Sequence, residues 1–297
     1  MGDWPIGIST GCFYHTPIFD CLEFLIANGF CMLEICSSPH HLHYHDQEAV
    51  RRAARLIEKL GMEAYSFHAP FSRDIDITSP DDAKRNHSRA EVFAAAEAAA
   101  ILNVRYFVFH AGPEESFVCP PRERLQRMEH AARTVSEIAE HCRRLHIGFV
   151  LENMLGHLFL GRIEDMLWIF GAADTVNVGA CVDTGHAYLA GALHQVMHKL
   201  SGHLKVIHAN DNNGIEDDHL PPGQGKIDWY DTLMKLNTIG FNGAFILELS
   251  GEGNRPPTVV LEDARRARFL LRRISRDIAL SNPPTAVSGR REPQQHD

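Results

Sequence analysis

The seven cysteines of this chain (Cys12, Cys21, Cys31, Cys36, Cys119, Cys142 and Cys181) contain no Cys-x-x-Cys pair. An odd set without paired spacing speaks against a disulfide framework and suits free thiols in a reducing, cytoplasmic compartment. No apolar run approaches the ~18 residues of a membrane span, and the opening MGDWPIGIST lacks the basic and apolar segments of a secretory signal. Positive charge is in deficit: 29 Lys+Arg against 38 Asp+Glu leave a net charge of −9. That balance argues against a protein whose main work is gripping nucleic acid, since such affinity rests on Lys and Arg neutralising phosphates. A glycine-rich dinucleotide fingerprint is missing too, because GISTGCF after the first apolar run does not supply one. Internal repeats and low-complexity segments are also absent.

What is present is ordinary in bulk and unusual in detail. Hydrophobic residues make up 44% and charged residues 23%, enough for a sizeable core in 297 residues, and there are 19 histidines. Eight short β-branched or aromatic runs read as strands: 6–10, 32–37, 64–68, 106–110, 147–152, 178–183, 204–208 and 244–249. Amphipathic stretches separate them. In 48–61, Val50, Ala53, Ala54, Ile57 and Leu60 form one stripe that stops at Gly61, and 89–103 and 125–146 read the same way. Eight strands, each followed by a helix-compatible segment, predict a single α/β domain, a (β/α)8 TIM barrel over residues 1–280. The Pro-containing polar stretch 281–297 reads as a disordered tail.

The acidic and imidazole residues then fall in one place. His68, His110, Glu152, Asp183 and His208 end five successive strand candidates, and His186 follows in DTGH. Glu248 lies near the end of the eighth strand. Between the last two strands, HANDNNGIEDDHLPPGQG gathers Asp211, Asp217, Asp218 and His219 before a Pro-Pro-Gly turn. Either this is a solvated acidic loop or it is part of a metal site completed from elsewhere in the chain. Barrel active sites form at the C-terminal ends of the strands. Ionisable groups there, on runs otherwise apolar, cost desolvation energy unless a charge compensates, and a divalent cation is the simplest compensator. Any one of these residues alone has a bland reading as a hydrogen-bonded rim group; nine on consecutive strand ends do not. By contrast His40, His41, His43 and His45 in SSPHHLHYHDQ read as a solvated loop. GQGKID (223–228) offers backbone N–H groups and Lys226 as a short phosphate-cradle signal.

The segments FHAP (67–70), FHAG (109–112), VLEN (150–153), VDTGH (182–186), IHAND (207–211), DDHLPPGQG (217–225) and ILEL (246–249) resemble the xylose isomerase-like TIM-barrel superfamily. Its members include sugar isomerases, sugar 3-epimerases, inosose dehydratases and DNA repair enzymes of the endonuclease IV type. The likeness spans roughly residues 6–275 and is specific to the superfamily rather than to one activity. For the epimerases it implies that Glu152, Asp183, His208 and Glu248 hold one divalent metal and that the two glutamates exchange the proton. For the endonuclease IV type it implies three zinc ions on His68, His110, Glu152, Asp183, His186, His208, Asp217, His219 and Glu248.

The two chemistries differ in charge. The nine residues comprise four carboxylates and five histidines, a formal charge of about −4 with neutral imidazoles. One divalent ion leaves about −2, tolerable for a neutral sugar, whereas three leave about +2, which attracts a phosphate or another anion. The expectation is therefore a metal-dependent isomerase or epimerase with one to three ions, Zn2+ or Mn2+. It would act on a carbohydrate or sugar phosphate held in part by His186 and Lys226. A multinuclear zinc phosphoesterase is the rival, and a dehydratase or lyase on keto-sugars or cyclitols uses the same proton abstraction. A barrel that binds without turnover is a third class, disfavoured by the presence of both glutamates. The oligomeric state, a homo-oligomer included, is left open.

Overall fold

The β-branched and aromatic runs become strands that close on themselves. In the computed structural model, which describes residues 4–251 and 255–281, the strands are β1 (Ile6–Ser9), β2 (Met32–Cys36), β3 (Glu63–His68) and β4 (Tyr106–Phe109). They continue as β5 (Gly148–Glu152), β6 (Val178–Asp183), β7 (Leu204–Ala209) and β8 (Ala244–Leu247). Each pairs in parallel with the next and β8 pairs with β1, so the sheet is a closed barrel, as the alternation of runs predicted.

The helices are α1 (Ile18–Ala27), α2 (Gln47–Lys59), α3 (Asp82–Ile101), α4 (Pro121–Arg144), α5 (Ile163–Ala172), α6 (Thr184–Leu189), α7 (Leu193–Lys199), α8 (Trp229–Thr238) and α9 (Pro257–Ser281). Helix α2 illustrates how they form. Asp46 caps it by accepting from the amides of Glu48 and Ala49, and Gly61 just beyond the end has φ +66°, a left-handed turn that glycine adopts freely. Its stripe faces the sheet: Val50, Ala53 and Ile57 are buried, Ala54 and Leu60 half-buried. Helix α3 begins seven residues before the stretch read from the sequence, at Asp82 instead of Arg89, because Asp81 supplies the cap. Polar residues after 281, the expected tail, lie outside the described residues.

Two apolar cores result. The larger lies between sheet and helices and includes Phe67, Phe107, Phe109 and Phe149. The smaller comprises Met32, Tyr65, Val108, Val150, Cys181, Val206, Ala244 and Ile246. These are side chains on alternate strand positions and they fill the barrel interior. Burying each Val, Leu, Ile or Phe contributes about 1.5–3 kcal/mol. Two register shifts matter above that plug. One sets Glu34 opposite Ser66, and the other sets Asp183 opposite His208.

Candidate metal centre at the barrel mouth

Two residues beyond the apolar plug, the inward positions become ionisable. Glu34, Asp183 and His208 have 0% exposure and Glu152 has 4%. Ligand atoms at this level fall into four groups, each with all its atoms within 4.8 Å of one another: His68, His110 and Glu152; Glu152, Cys181 and His208; Glu152, Asp183, His208 and Glu248; and His186, Asp217 and His219. All nine residues singled out from the sequence are thus brought to one mouth.

Glu152 joins three of the groups. Its Oε2 lies 3.0 Å from His110 Nε2 and 3.3 Å from His68 Nε2, while Oε1 lies 3.1 Å from His208 Nδ1. Glu248 Oε2 approaches the same His208 nitrogen at 3.1 Å. Asp217 Oδ2 stands 3.2 Å from both His186 Nε2 and His219 Nε2. Several of these contacts are close without hydrogen-bonding geometry: Glu152 Oε2, Glu248 Oε2 and both His110 nitrogens are buried with no hydrogen-bond partner. Buried polar atoms left in that condition are costly. Lone pairs gathered in this way fit a cation that takes N and O donors, so the residues present suit a divalent metal.

The supporting shell fixes the ligands. Asp183 caps α6 by accepting from His186 N at 2.7 Å through Oδ1, and its Oδ2 accepts from Asn210 Nδ2 at 2.5 Å. Asn153, the last residue of LEN, clamps the ends of β5 and β6 together by accepting from Asp183 N and donating to Asp183 O. Three imidazoles have Nδ1 against a backbone carbonyl, which leaves Nε2 to face the acids: His68 on Ala69 (2.9 Å), His186 on Asn153 (2.9 Å) and His219 on Glu248 (3.0 Å).

The imidazoles and carboxylates shift one another strongly. Burial alone would lower His68 and His186, yet the carboxylates of Glu152, and of Asp183 with Asp217, raise them to about 9 and about 10. His208 and His219 are likewise held well above the ordinary imidazole value against their burial. In His110 burial wins and the value falls. Burial pushes Asp183 up to about 6. Burial opposes ionisation of Glu248, but His208 pulls it down to about 2, and Glu152 is also held low by His208 and His110.

The loop quoted above divides into two uses. Asp217 and His219 join the site. Asp211 does not: its buried carboxylate accepts from the amides of Asn212, Gly223 and Ile227 and from Trp229 Nε1, which staples the Pro-Pro-Gly turn. Those bonds consume amides that the phosphate-cradle reading of 223–228 needed, and Lys226 is exposed and lines neither cavity at the mouth. Lys226 is therefore not brought to the centre. In the loop after β2, His41 is buried against Thr16 O and His45 pairs with Glu91, while His40 and His43 are exposed. Only Tyr44 of that stretch's aromatic and imidazole residues reaches the cavity. Sequence reasoning missed Glu34. The signal was available, since a carboxylate between Leu33 and Ile35 stands in the same kind of apolar run as Glu152.

Two cavities of about 720 and about 680 Å³ open on either side of the centre and share His68, Phe71, Asp217, His219 and Glu248. Among the described residues, Arg73 is the one Lys or Arg in their linings, and Glu114 and Glu115 line the same cavity.

Comparison with known proteins agrees with the barrel fold. The sequence profile of the xylose isomerase-like TIM barrel family matches residues 22–272. The chain belongs to that family. A Methanocaldococcus jannaschii protein named as uncharacterised is 30% identical over 258 residues, covering 83% of this chain and 84% of its own. A probable endonuclease 4 of Persephonella marina is 25% identical, covering 71% and 79%. Among solved structures, a D-tagatose 3-epimerase-like protein superposes with a TM-score of 0.81 at 26% identity, covering 93% of this chain and 99% of that one. Among the described residues no helix is long and apolar enough to cross a membrane.

Proposed function

We propose that the protein is a metal-dependent sugar isomerase or epimerase that removes and returns a proton next to a carbonyl. One observation carries the reading: Glu152, Asp183, His208 and Glu248 offer four donors within 4.8 Å of one another at the open end of the barrel. Glu152 and Glu248 would hold the cation with Asp183 and His208 and would also serve as the two proton carriers. A divalent cation at such a site polarises a carbonyl and lowers the pKa of the adjacent C–H. Both glutamates are held ionised, as a proton acceptor must be. His186, which lines one cavity, would meet a substrate hydroxyl there by exchanging its Nε2 contact with Asp217. The scarcity of Lys and Arg around both cavities favours an uncharged carbohydrate over a sugar phosphate.

Incubating the Mn2+- or Zn2+-loaded protein in D2O with a panel of neutral ketoses tests this. Deuterium should appear at the carbon next to the carbonyl, together with the epimer or isomer. No exchange with any ketose, from protein shown to hold metal, overturns the reading.

A second reading has its own support. The separate groupings of His68, His110 and Glu152, and of His186, Asp217 and His219, suit two further ions. Three ions would make the mouth attractive to a phosphoester. Metal analysis counting ions per chain, with an assay on abasic DNA, separates the readings. About one ion and no cleavage leaves the sugar reading alone; about three with cleavage replaces it.

A further inference from the structure

His208 is mounted unlike His68, His186 and His219. His68, His186 and His219 rest Nδ1 on a carbonyl and present Nε2 to the acids. His208 presents Nδ1, at 3.1 Å from Glu152 and from Glu248, and its Nε2 lies 2.9 Å from Oε2 of Glu34. The same Glu34 oxygen accepts from Ser66 Oγ at 2.8 Å. Glu34, Ser66 and His208 all have 0% exposure, and Glu34 lines neither cavity, so it does not touch substrate.

We propose that Glu34 is a positioning residue for the metal: it takes the Nε2–H of His208, aims Nδ1 at the cation and strengthens that nitrogen as a donor. This rests on the metal-site reading above. A ring needing only to be held still would be satisfied by a backbone carbonyl, as His68, His186 and His219 are. Burying a full carboxylate instead is expensive. The cost is justified where the imidazole must carry the electron demand of a cation, because a carboxylate partner raises the basicity of the ligand nitrogen more than a neutral carbonyl does. The strand pairing is shaped to permit it. The register shift between Leu33 and Glu34 sets the Ser66 hydroxyl opposite Glu34, with Tyr65 skipped. Glu34 Oε1 is left buried without a hydrogen-bond partner, so Oε2 carries both of the contacts made.

The test measures Zn2+ and Mn2+ affinity of metal-free protein by competition with a chromogenic chelator, for the native chain and for Glu34→Gln, Glu34→Leu, Ser66→Ala and Glu152→Gln. Outer partners of a metal-bound histidine change affinity by about 10–100-fold. Glu34→Gln, which keeps an acceptor and loses the charge, is expected near the lower figure, Glu34→Leu near the upper, and Ser66→Ala below both. Long-range 1H–15N spectra of the zinc-loaded native protein should show His208 with Nε2 protonated and Nδ1 bound. Glu34→Gln should keep that pattern, a conservative rescue that a general packing defect would not produce. If Glu34→Leu fails to fold, Glu34→Gln and Ser66→Ala carry the measurement. Native protein that binds metal while Glu34→Gln binds it equally well overturns the proposal and leaves the metal reading standing. Native protein that takes up neither metal, or Glu152→Gln with unchanged affinity, overturns the metal reading and this proposal with it.

Discussion

Two layers of the barrel interior, one above the other on the same strands, have opposite chemistry. The lower contains Met32, Val108, Val150, Cys181, Val206 and Ile246. Two residues further along each strand direction stand Glu34, His110, Glu152, Asp183, His208 and Glu248. The step of two is the strand's own repeat, which returns a side chain to the same face. The layers therefore differ in side chain and not in placement. The lower one stabilises by leaving water; the upper one gives up hydration and must recover it from a counter-charge. One source of that counter-charge is the imidazoles of His68, His186, His208 and His219, which the surrounding carboxylates raise above the ordinary value. Stability and chemistry occupy neighbouring rungs and should be separable by substitution.

The sharpest way to break that separation is a crossed pair of variants. Glu152→Gln or Glu248→Gln should lower kcat by about 10²–10⁴-fold, the usual yield of a positioned acid or base. Val150→Ala, one rung below Glu152, should act on stability instead. It should cost about 1–3 kcal/mol of stability through a cavity in the plug and leave kcat within about threefold. Urea unfolding and steady-state kinetics on the same preparations decide it. If Val150→Ala lowers kcat as far as Glu152→Gln at equal metal content, the layers are not independent.

Metal removal is the next largest effect. An ion at about a thousand times its Kd stabilises the fold by about 4 kcal/mol, so chelation should lower Tm in the native protein and in Val150→Ala by the same amount. A shift that vanishes in Val150→Ala would show that the plug, and not the mouth, responds to the ion.

The pH dependence follows with its sign. His68 and His186 are raised from 6.5 to about 9 and about 10. Their contribution to the metal-free fold is fully present below about 6.5 and is lost as pH rises through about 9 and 10. A cation held by Glu152 and Asp183 would offset the carboxylate charge that keeps those protons on, so its apparent affinity should rise with pH over that window. The gap between metal-loaded and metal-free Tm should thus widen on going from neutral to alkaline pH. Calorimetry in buffers of different ionisation enthalpy should register proton release on binding. An affinity flat from about pH 6.5 to 9 would remove the account of charge balance in the upper layer.

How much of this was legible in the sequence depends on the kind of information each residue carries. Alternating runs disclosed all eight strands, because a strand buried on both faces must be apolar for several residues and then stop. Glu152, Asp183, His208 and Glu248 were legible as ionisable breaks at those stops. Glu34 has the same character and was passed over, since it sits inside its run and not at the end. That His208 uses Nδ1 while His68 uses Nε2 was not legible, because it depends on which neighbour across the sheet meets the other nitrogen. The β6–β7 register shift that aligns Asp183 with His208 is equally invisible in one strand read alone.

The smallest predicted effect concerns the turn that looked most like a phosphate cradle. In GQGKID the motif supplies glycines and a lysine, but the fold has already assigned an anion to it. Asp211 accepts from the amides of Gly223 and Ile227 and from the Trp229 indole, at 2.9 to 3.0 Å. A Cβ at Gly225 would meet Asp211 Oδ1 at 2.3 Å, so the glycine serves close approach of that carboxylate. Lys226 is exposed and its own amide bonds to Asn212 O. Lys226→Ala should therefore leave KM for neutral and phosphorylated sugars within about twofold, in line with an exposed charge that makes no desolvated contact. Asp211→Ala should instead destabilise the chain by at least about 1–3 kcal/mol, the cost of stranding buried donors, and lower metal affinity only indirectly, through displacement of Asp217 and His219. A tenfold rise in KM for phosphorylated sugars alone in Lys226→Ala would restore the lysine to the substrate site and favour an anionic substrate after all.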